Sequence, residues 1–105
     1  MKVIFHIEHP EKWSVVRNNV TNFLAEIPDA TIEILVNGQA AGNTVKKSGI
    51  DLSNLTEITT IKVCENALAA RGISPDKLQE NLQTVKSGVV ELAVQQQNEF
   101  AYIKP

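Results

Sequence analysis

Cysteine is nearly absent from this sequence: Cys64 stands alone in 105 residues. One thiol cannot close an intrachain disulfide. It also excludes a Cys-x-x-Cys dithiol and the paired Cys/His spacing of a structural zinc site, so no metal is expected. Neither a G-x-G-x-x-G fingerprint nor a P-loop occurs, which removes those routes to nucleotide binding and leaves no cofactor expected. Long apolar runs are missing as well. No stretch approaches the ~20 residues of a membrane span, and His6 and Glu8 interrupt the opening MKVIFHIEHP where a signal peptide needs unbroken apolar residues. The expectation is a cytoplasmic protein without a membrane partner. A basic stripe is also lacking: 10 Lys and Arg are scattered among 12 Asp and Glu, for a net charge of −2. Consecutive phosphates find no match in such a pattern, and nucleic acid is not an expected partner. With only one Trp and one Tyr in the chain, Trp13 reads as a helix anchor in the core or at an oligomer contact, not as a ligand platform.

What is present is apolar residue in the right amount and order. Hydrophobic residues make up 43% of the chain, enough for a single domain over residues 1–105 that buries roughly two-thirds of its unfolded surface. Val3 to Ile7 is a β-branched and aromatic run ending at Glu8-His9-Pro10, where proline suits the first turn of a helix. From Pro10 the positions Trp13, Val16, Val20, Phe23, Leu24 and Ile27 line one helix face up to Pro28. Ala30 to Val36 predicts a second strand, turning at Asn37-Gly38, and Gln39 to Lys47 a short helix ended by Ser48-Gly49. Ile50 to Thr56 reads as a loop or single turn, Glu57 to Cys64 as a third strand, and Glu65 to Arg71 as a helix ended by Gly72. Ser74 to Leu78 predicts one or two helical turns, and Leu82 to Val85 a weak fourth strand. Ser87-Gly88 opens a helix with Val89, Val90, Leu92, Ala93 and Val94 on its buried side, and Phe100 to Ile103 closes as a strand. Alternating strands and helices imply right-handed crossovers, hence a doubly wound α/β domain with a mainly parallel sheet and helices on both faces.

Several segments resemble landmarks of the DsrE/DsrF-like (YchN-like) family: Lys2-Val3-Ile4-Phe5-His6, Val36-Asn37-Gly38, Val63-Cys64-Glu65-Asn66-Ala67-Leu68, Gly72-Ile73, Val85 to Leu92, and the tail Gln95 to Pro105. Their order and spacing over nearly the whole chain carry the likeness. The resemblance implies a five-stranded parallel sheet, homotrimers or homohexamers, and a cysteine after the third strand that holds sulfur as a persulfide in the relay members. Two departures stand against a full transfer: the segment before strand three is short, and Lys62 places a charge in a strand that the family usually keeps apolar.

With strand three ending at Val63 and a helix starting near Glu65, Cys64 is expected at the carboxyl end of a parallel strand, facing a helix N-terminus that favours a thiolate. In a sheet of order 2-1-3-4-5 the ligand crevice lies between strands one and three, so Glu8 and His9 are expected to face Cys64 and Asn66 across it. His6 shares the strand face of Glu8. Lys62 shares that of Cys64 and is a source of positive charge. Asn37-Gly38 offers backbone N–H groups to an anion or is simply a turn, and His6 is a base or a hydrogen-bonded core residue.

Two functions follow from Cys64. As a nucleophile it makes the chain a sulfur carrier that takes sulfane sulfur from a donor protein and passes it to an acceptor. As a small buried residue it leaves a non-catalytic oligomeric module that binds a small ligand or a protein. An enzyme using Glu8 and His9 for acid/base work is a third reading, resting only on their adjacency.

Overall fold

Alternation along β1 (Lys2–Ile7) sets the architecture. Val3, Phe5 and Ile7 point to one side of the sheet, and Ile4 and His6 to the other, as a two-residue period requires. The structure, a computed structural model of residues Met1–Pro105, continues this division through β2 (Thr31–Val36) and β3 (Thr60–Cys64). The first side is wholly apolar. Ile32, Ile34, Val36, Ile61 and Val63 join the β1 residues there beneath Trp13, Val16 and Val20 of α1 (Trp13–Glu26), Leu55 of α2 (Ser53–Thr56) and Leu68 of α3 (Glu65–Ala70). The second side carries Ile4, Leu35, His6, Glu33 and Lys62, and one helix covers it: α4 (Gly88–Gln97), with Leu92 against Ile4 and Leu35.

All five strands are parallel, completed by β4 (Gln83–Val85) and β5 (Ala101–Ile103), in the order β4-β3-β2-β1-β5. The α/β class, the parallel five-stranded sheet and the helices on both faces are as expected. The order 2-1-3-4-5 is corrected, because β2 lies between β1 and β3. Crossover handedness supplies the reason. A right-handed connection fixes the direction of the next strand once its face is chosen. The β2–β3 connector carries Ala40, Ala41, Thr44, Leu52 and Leu55 to the same core as α1, so the chain keeps moving the same way. Only α4 crosses the opposite face, and it returns the chain past β1 to place β5 at the far edge.

Three further readings are corrected. The short helix expected over Gln39 to Lys47 is a 3-10 segment over Gly38–Thr44 that ends earlier, which suits a stretch with Gly42 and Asn43 and a Thr44 hydroxyl that donates to the Ala41 carbonyl at 2.6 Å. β3 begins at Thr60 because the Thr59 amide and hydroxyl both donate to the Leu55 carbonyl and prolong the turn after α2. On α4, Val89, Val90 and Val94 are 68%, 57% and 46% exposed, and Ala93 is exposed too. The stripe that meets the sheet is instead Gly88, Glu91, Leu92 and Gln95, matched to a sheet face with charge at its centre. No helix is long and apolar enough to cross a membrane.

The turn after β2 depends on Gly38, whose φ of +56° lies in the left-handed region. A side chain there would also meet the Glu8 carbonyl oxygen at 3.0 Å, the same oxygen that accepts from the Ala40 amide. Gly38→Ala is therefore expected to lower unfolding stability by about 1–2 kcal/mol. Urea denaturation of the two proteins checks this, and an unchanged midpoint would show that the turn relaxes freely.

Candidate functional site

At the carboxyl ends of the strands, β3 leads into α3 on the apolar side of the sheet, whereas β4 leads into α4 on the opposite side. Neighbouring strands whose connections part in this way open a crevice between them. Cys64, paired with Val85 of β4, sits at that point. The topological switch point therefore lies between β3 and β4 and not between β1 and β3. Its sulfur accepts the main-chain N–H of Gly88, the first residue of α4, at 3.3 Å. The fit there is tight: a Cβ on Gly88 would stand 3.1 Å from Leu35 Cδ1, 3.3 Å from Cys64 Cβ and 3.4 Å from Asn37 Nδ2. The cysteine is buried, 6% exposed, and the two broadest surface clefts, bordered by residues such as Lys46, Asp51, Gln79 and Lys77, hold neither it nor His6.

The other expected site residues divide. His6 and Asn37 come together on the α4 side of the sheet: His6 Nε2 lies 2.9 Å from Asn37 Oδ1, and His6 Nδ1 lies 2.6 Å from the Tyr102 hydroxyl. Asn37 in turn borders Gly88 beside Cys64. Gly38 shapes the turn by its positive φ. Glu8 and His9 do not face Cys64, because β2 intervenes and two strand spacings amount to roughly 10 Å. Glu8 instead pairs with Lys104, whose hydrogen bond holds the carboxyl below its ordinary pKa. His9 is exposed and makes no side-chain cap, and Asn66 is exposed on α3.

Lys62 shares the face of Cys64, as expected, but its ammonium is committed elsewhere. It lies 2.8 Å from Glu91 Oε2 and 3.3 Å from Glu33 Oε1, and Gln95 Nε2 donates to Glu33 Oε1 at 2.6 Å. Glu33 is 3% exposed, and its buried Oε2 accepts no hydrogen bond. Burial, followed by the hydrogen bond to Glu91, pushes its pKa up to about 7. A protonated Glu33 that donates to Glu91 accounts for that otherwise orphaned oxygen. For Glu91, burial works to raise the pKa, but hydrogen bonds from Glu33 and Lys62 hold it below the ordinary value. Burial likewise opposes the charge on Lys62, yet the hydrogen bonds to Glu91 and Glu33 raise its pKa.

This cluster was missed in the sequence. Its signal was available: Glu33 in the run Ile32-Glu33-Ile34 and Lys62 in Ile61-Lys62-Val63 are opposite charges at the centres of two apolar strands. Tyr102 and Gly88 were missed too. Tyr102 is in register with Ile4 and so shares the face of His6.

The sign of the pH dependence follows from Glu33. Its folded pKa of about 7 exceeds the 4.5 of an ordinary glutamate, so between those values the folded protein binds more protons than the unfolded chain. Its stabilising contribution is full below 4.5 and is lost as pH rises through about 7. The Glu91 window lies below 4.5 and that of Lys62 above 10.5, clear of this range. Glu33→Gln, which keeps the shape and a donor toward Glu91, is expected to flatten the stability profile between about pH 5 and about pH 8. Urea midpoints across that range measure it; parallel profiles for the two proteins would place the proton elsewhere.

No family model and no curated protein matches this sequence. Solved structures do. The MTH1491 protein of Methanobacterium thermoautotrophicum, a protein of unknown function, shares 31% identity over 99% of this chain and 98% of its own, with a TM-score of 0.90. The YchN protein of E. coli matches over 100% of both chains with a TM-score of 0.74 and 15% identity, a likeness of fold. The chain belongs to the family of MTH1491, and its fold is the YchN-like fold of the DsrE/DsrF-like proteins.

Proposed function

We propose that the protein is a sulfur carrier of the cytoplasm in which Cys64 holds sulfane sulfur as a persulfide. The observation that carries this reading is the position of the Cys64 sulfur at the carboxyl end of β3 with the Gly88 N–H, at the start of α4, directed onto it. A main-chain donor at a helix N-terminus stabilises negative charge on sulfur, whether in a thiolate or in a persulfide anion. The resemblance of the Val63 to Leu68 segment to the relay members supports the same assignment.

The chemistry is redox-neutral. The Cys64 thiolate attacks the outer sulfur of a donor R–S–SH, a sulfur–sulfur bond forms at Cys64, the donor's sulfur–sulfur bond breaks, and R–S⁻ leaves with the electron pair. The product is Cys64–S–SH. An acceptor protein's thiolate then attacks the outer sulfur and releases the Cys64 thiolate. Self-association belongs to the proposal: Val89, Val90 and Val94 form an exposed apolar strip along α4, of the kind that subunit contacts cover, and homotrimers or homohexamers fit it. Val90→Glu is expected to reduce the mass in solution measured by light scattering. An unaltered mass would clear α4 of that role.

The burial of Cys64 favours a second reading, in which the thiol only packs and the protein is a binding module. One experiment separates the two. The native reduced protein is treated with inorganic polysulfide and its intact mass is read beside that of Cys64→Ser. A gain of one sulfur atom that requires Cys64 is expected. No adduct, with alkylation of Cys64 only on unfolding, would assign the cysteine to packing and put the binding module first.

A further inference from the structure

The two sides of the sheet are held by different means. The apolar cluster beneath α1, α2 and α3 contains 19 buried residues, whereas the cluster on the α4 side has three: Ile4, Leu35 and Leu92. Of the 10 residues of α4 only Gly88 and Leu92 are buried. One leucine is a weak apolar anchor, and a helix this short does not keep its shape in water by propensity alone. The rest of the hold is polar: Lys62 Nζ lies 2.8 Å from Glu91 Oε2, and Gln95 Nε2 donates to Glu33 Oε1 at 2.6 Å. A segment secured in this way opens locally more readily than the core.

That polar hold depends on a proton. Lys62 also lies 3.3 Å from Glu33 Oε1, so one ammonium serves two carboxyl groups, and the buried Glu33 Oε2 accepts no hydrogen bond. A protonated Glu33 gives Glu91 a further bond. Without the proton, two carboxylates compete for Lys62 and a buried oxygen is left uncompensated. No other charge on this face takes over. β1 sets Ile4 opposite Glu33, with Lys2 held over the Phe100 ring and His6 bound to Asn37 and Tyr102. β4 sets the uncharged Gln83 beside Lys62, and Tyr102 of β5 lies beyond β1.

We propose that α4 is a cover that opens locally, latched by a proton on Glu33, and that its opening uncovers Cys64. Gly88, the first residue of α4, packs against Cys64 and donates to its sulfur, so a helix that lifts takes this contact with it. The device is independent of the sulfur-carrier reading and holds equally for a cysteine that only packs. With α4 seated, the Glu33 pKa is about 7; with α4 lifted, water reaches the carboxyl and the ordinary 4.5 returns. The proton therefore favours the seated helix fully below 4.5, and this contribution is lost as pH rises through about 7. Between those values each pH unit favours opening by about tenfold at most.

Amide hydrogen exchange between about pH 5 and about pH 8 reads the opening, at a protein concentration where light scattering gives one mass throughout. In wild type the α4 amides are expected to be less protected than those of β1 and α1. Their protection, corrected for intrinsic rates, is expected to fall several-fold per pH unit up to about pH 7 and then level off. In Glu33→Gln, which keeps a donor toward Glu91, it is expected to stay flat, and any contribution from His6 remains in both proteins. Cys64 supplies a second readout: at about pH 8, above the latch, its alkylation is expected to be several-fold slower in Glu33→Gln than in wild type. Loss of a negative charge on that face by itself favours a thiolate and speeds the reaction, so slowing reports the cover. α4 amides as protected as those of β1 would make the opening global and overturn the proposal. Parallel pH profiles in the two proteins, or alkylation that the variant does not slow, would overturn it as well. Should Glu33→Gln fail to fold, the low protection of α4 in wild type and its levelling at about pH 7 decide the matter without it.

Discussion

Glu33 lies at the centre of an otherwise apolar strand, in the middle of the sheet, and its burial constrains much of what surrounds it. A carboxyl group in that position is costly unless its oxygens are hydrogen-bonded and its charge is matched or removed by a proton. The structure meets both demands with Lys62 from the neighbouring strand and with Glu91 and Gln95 from one helix. Those requirements make this side of the sheet unsuited to a second apolar helix. Every other connector therefore gathers on the opposite, wholly apolar side. Strand order follows from that division, since right-handed connections on one face carry the chain steadily from β1 to β4, and the single crossover on the other face brings β5 back beside β1.

The sequence made the elements legible because local physics decides them. The Trp13, Val16, Val20 spacing gives α1, the β-branched runs give β1 to β3, and Gly88 and Gly72 mark a helix start and end where the structure has them. Strand order was not legible from the same signals. It depends on which face each connector covers, and in the β2–β3 connector Ala40, Ala41 and Leu55 declare their face only once the sheet exists. The error on α4 has a related cause: Val89, Val90 and Val94 look like a core stripe by composition, but a polar sheet face selects the stripe with Glu91 and Gln95. Periodicity reports that a helix is amphipathic, not which of two mixed faces its partner prefers.

For the candidate site, the place of Cys64 at the end of β3 was evident in advance, and His6 and Asn37 were singled out by type. Their true neighbours were not. Glu8 and His9 look adjacent to Cys64 only in a sheet where strands one and three touch, and that arrangement placed them at the crevice. Tyr102 comes from the far end of the chain, and its hydrogen bond to His6 spans 96 residues. A contact of that kind depends on β5 lying beside β1, a further step of topology that local pattern does not encode.

The two polar groups on this side of the sheet are mechanically related through α4. Gly88, whose N–H reaches the Cys64 sulfur, and Glu91, which binds Lys62, are three residues apart, within one helical turn. A turn of helix is too stiff to move one without the other, and Leu92 seats the same turn on Ile4 and Leu35. The Glu33–Lys62–Glu91 cluster and Leu92 thus hold the same turn of α4 that carries the Gly88 donor. Deprotonation of Glu33 would leave two carboxylates sharing one ammonium and weaken the hold on Glu91. The lysine in β3 is tied to Cys64 only by way of the helix: it binds Glu91, three residues from Gly88, whose N–H the sulfur accepts.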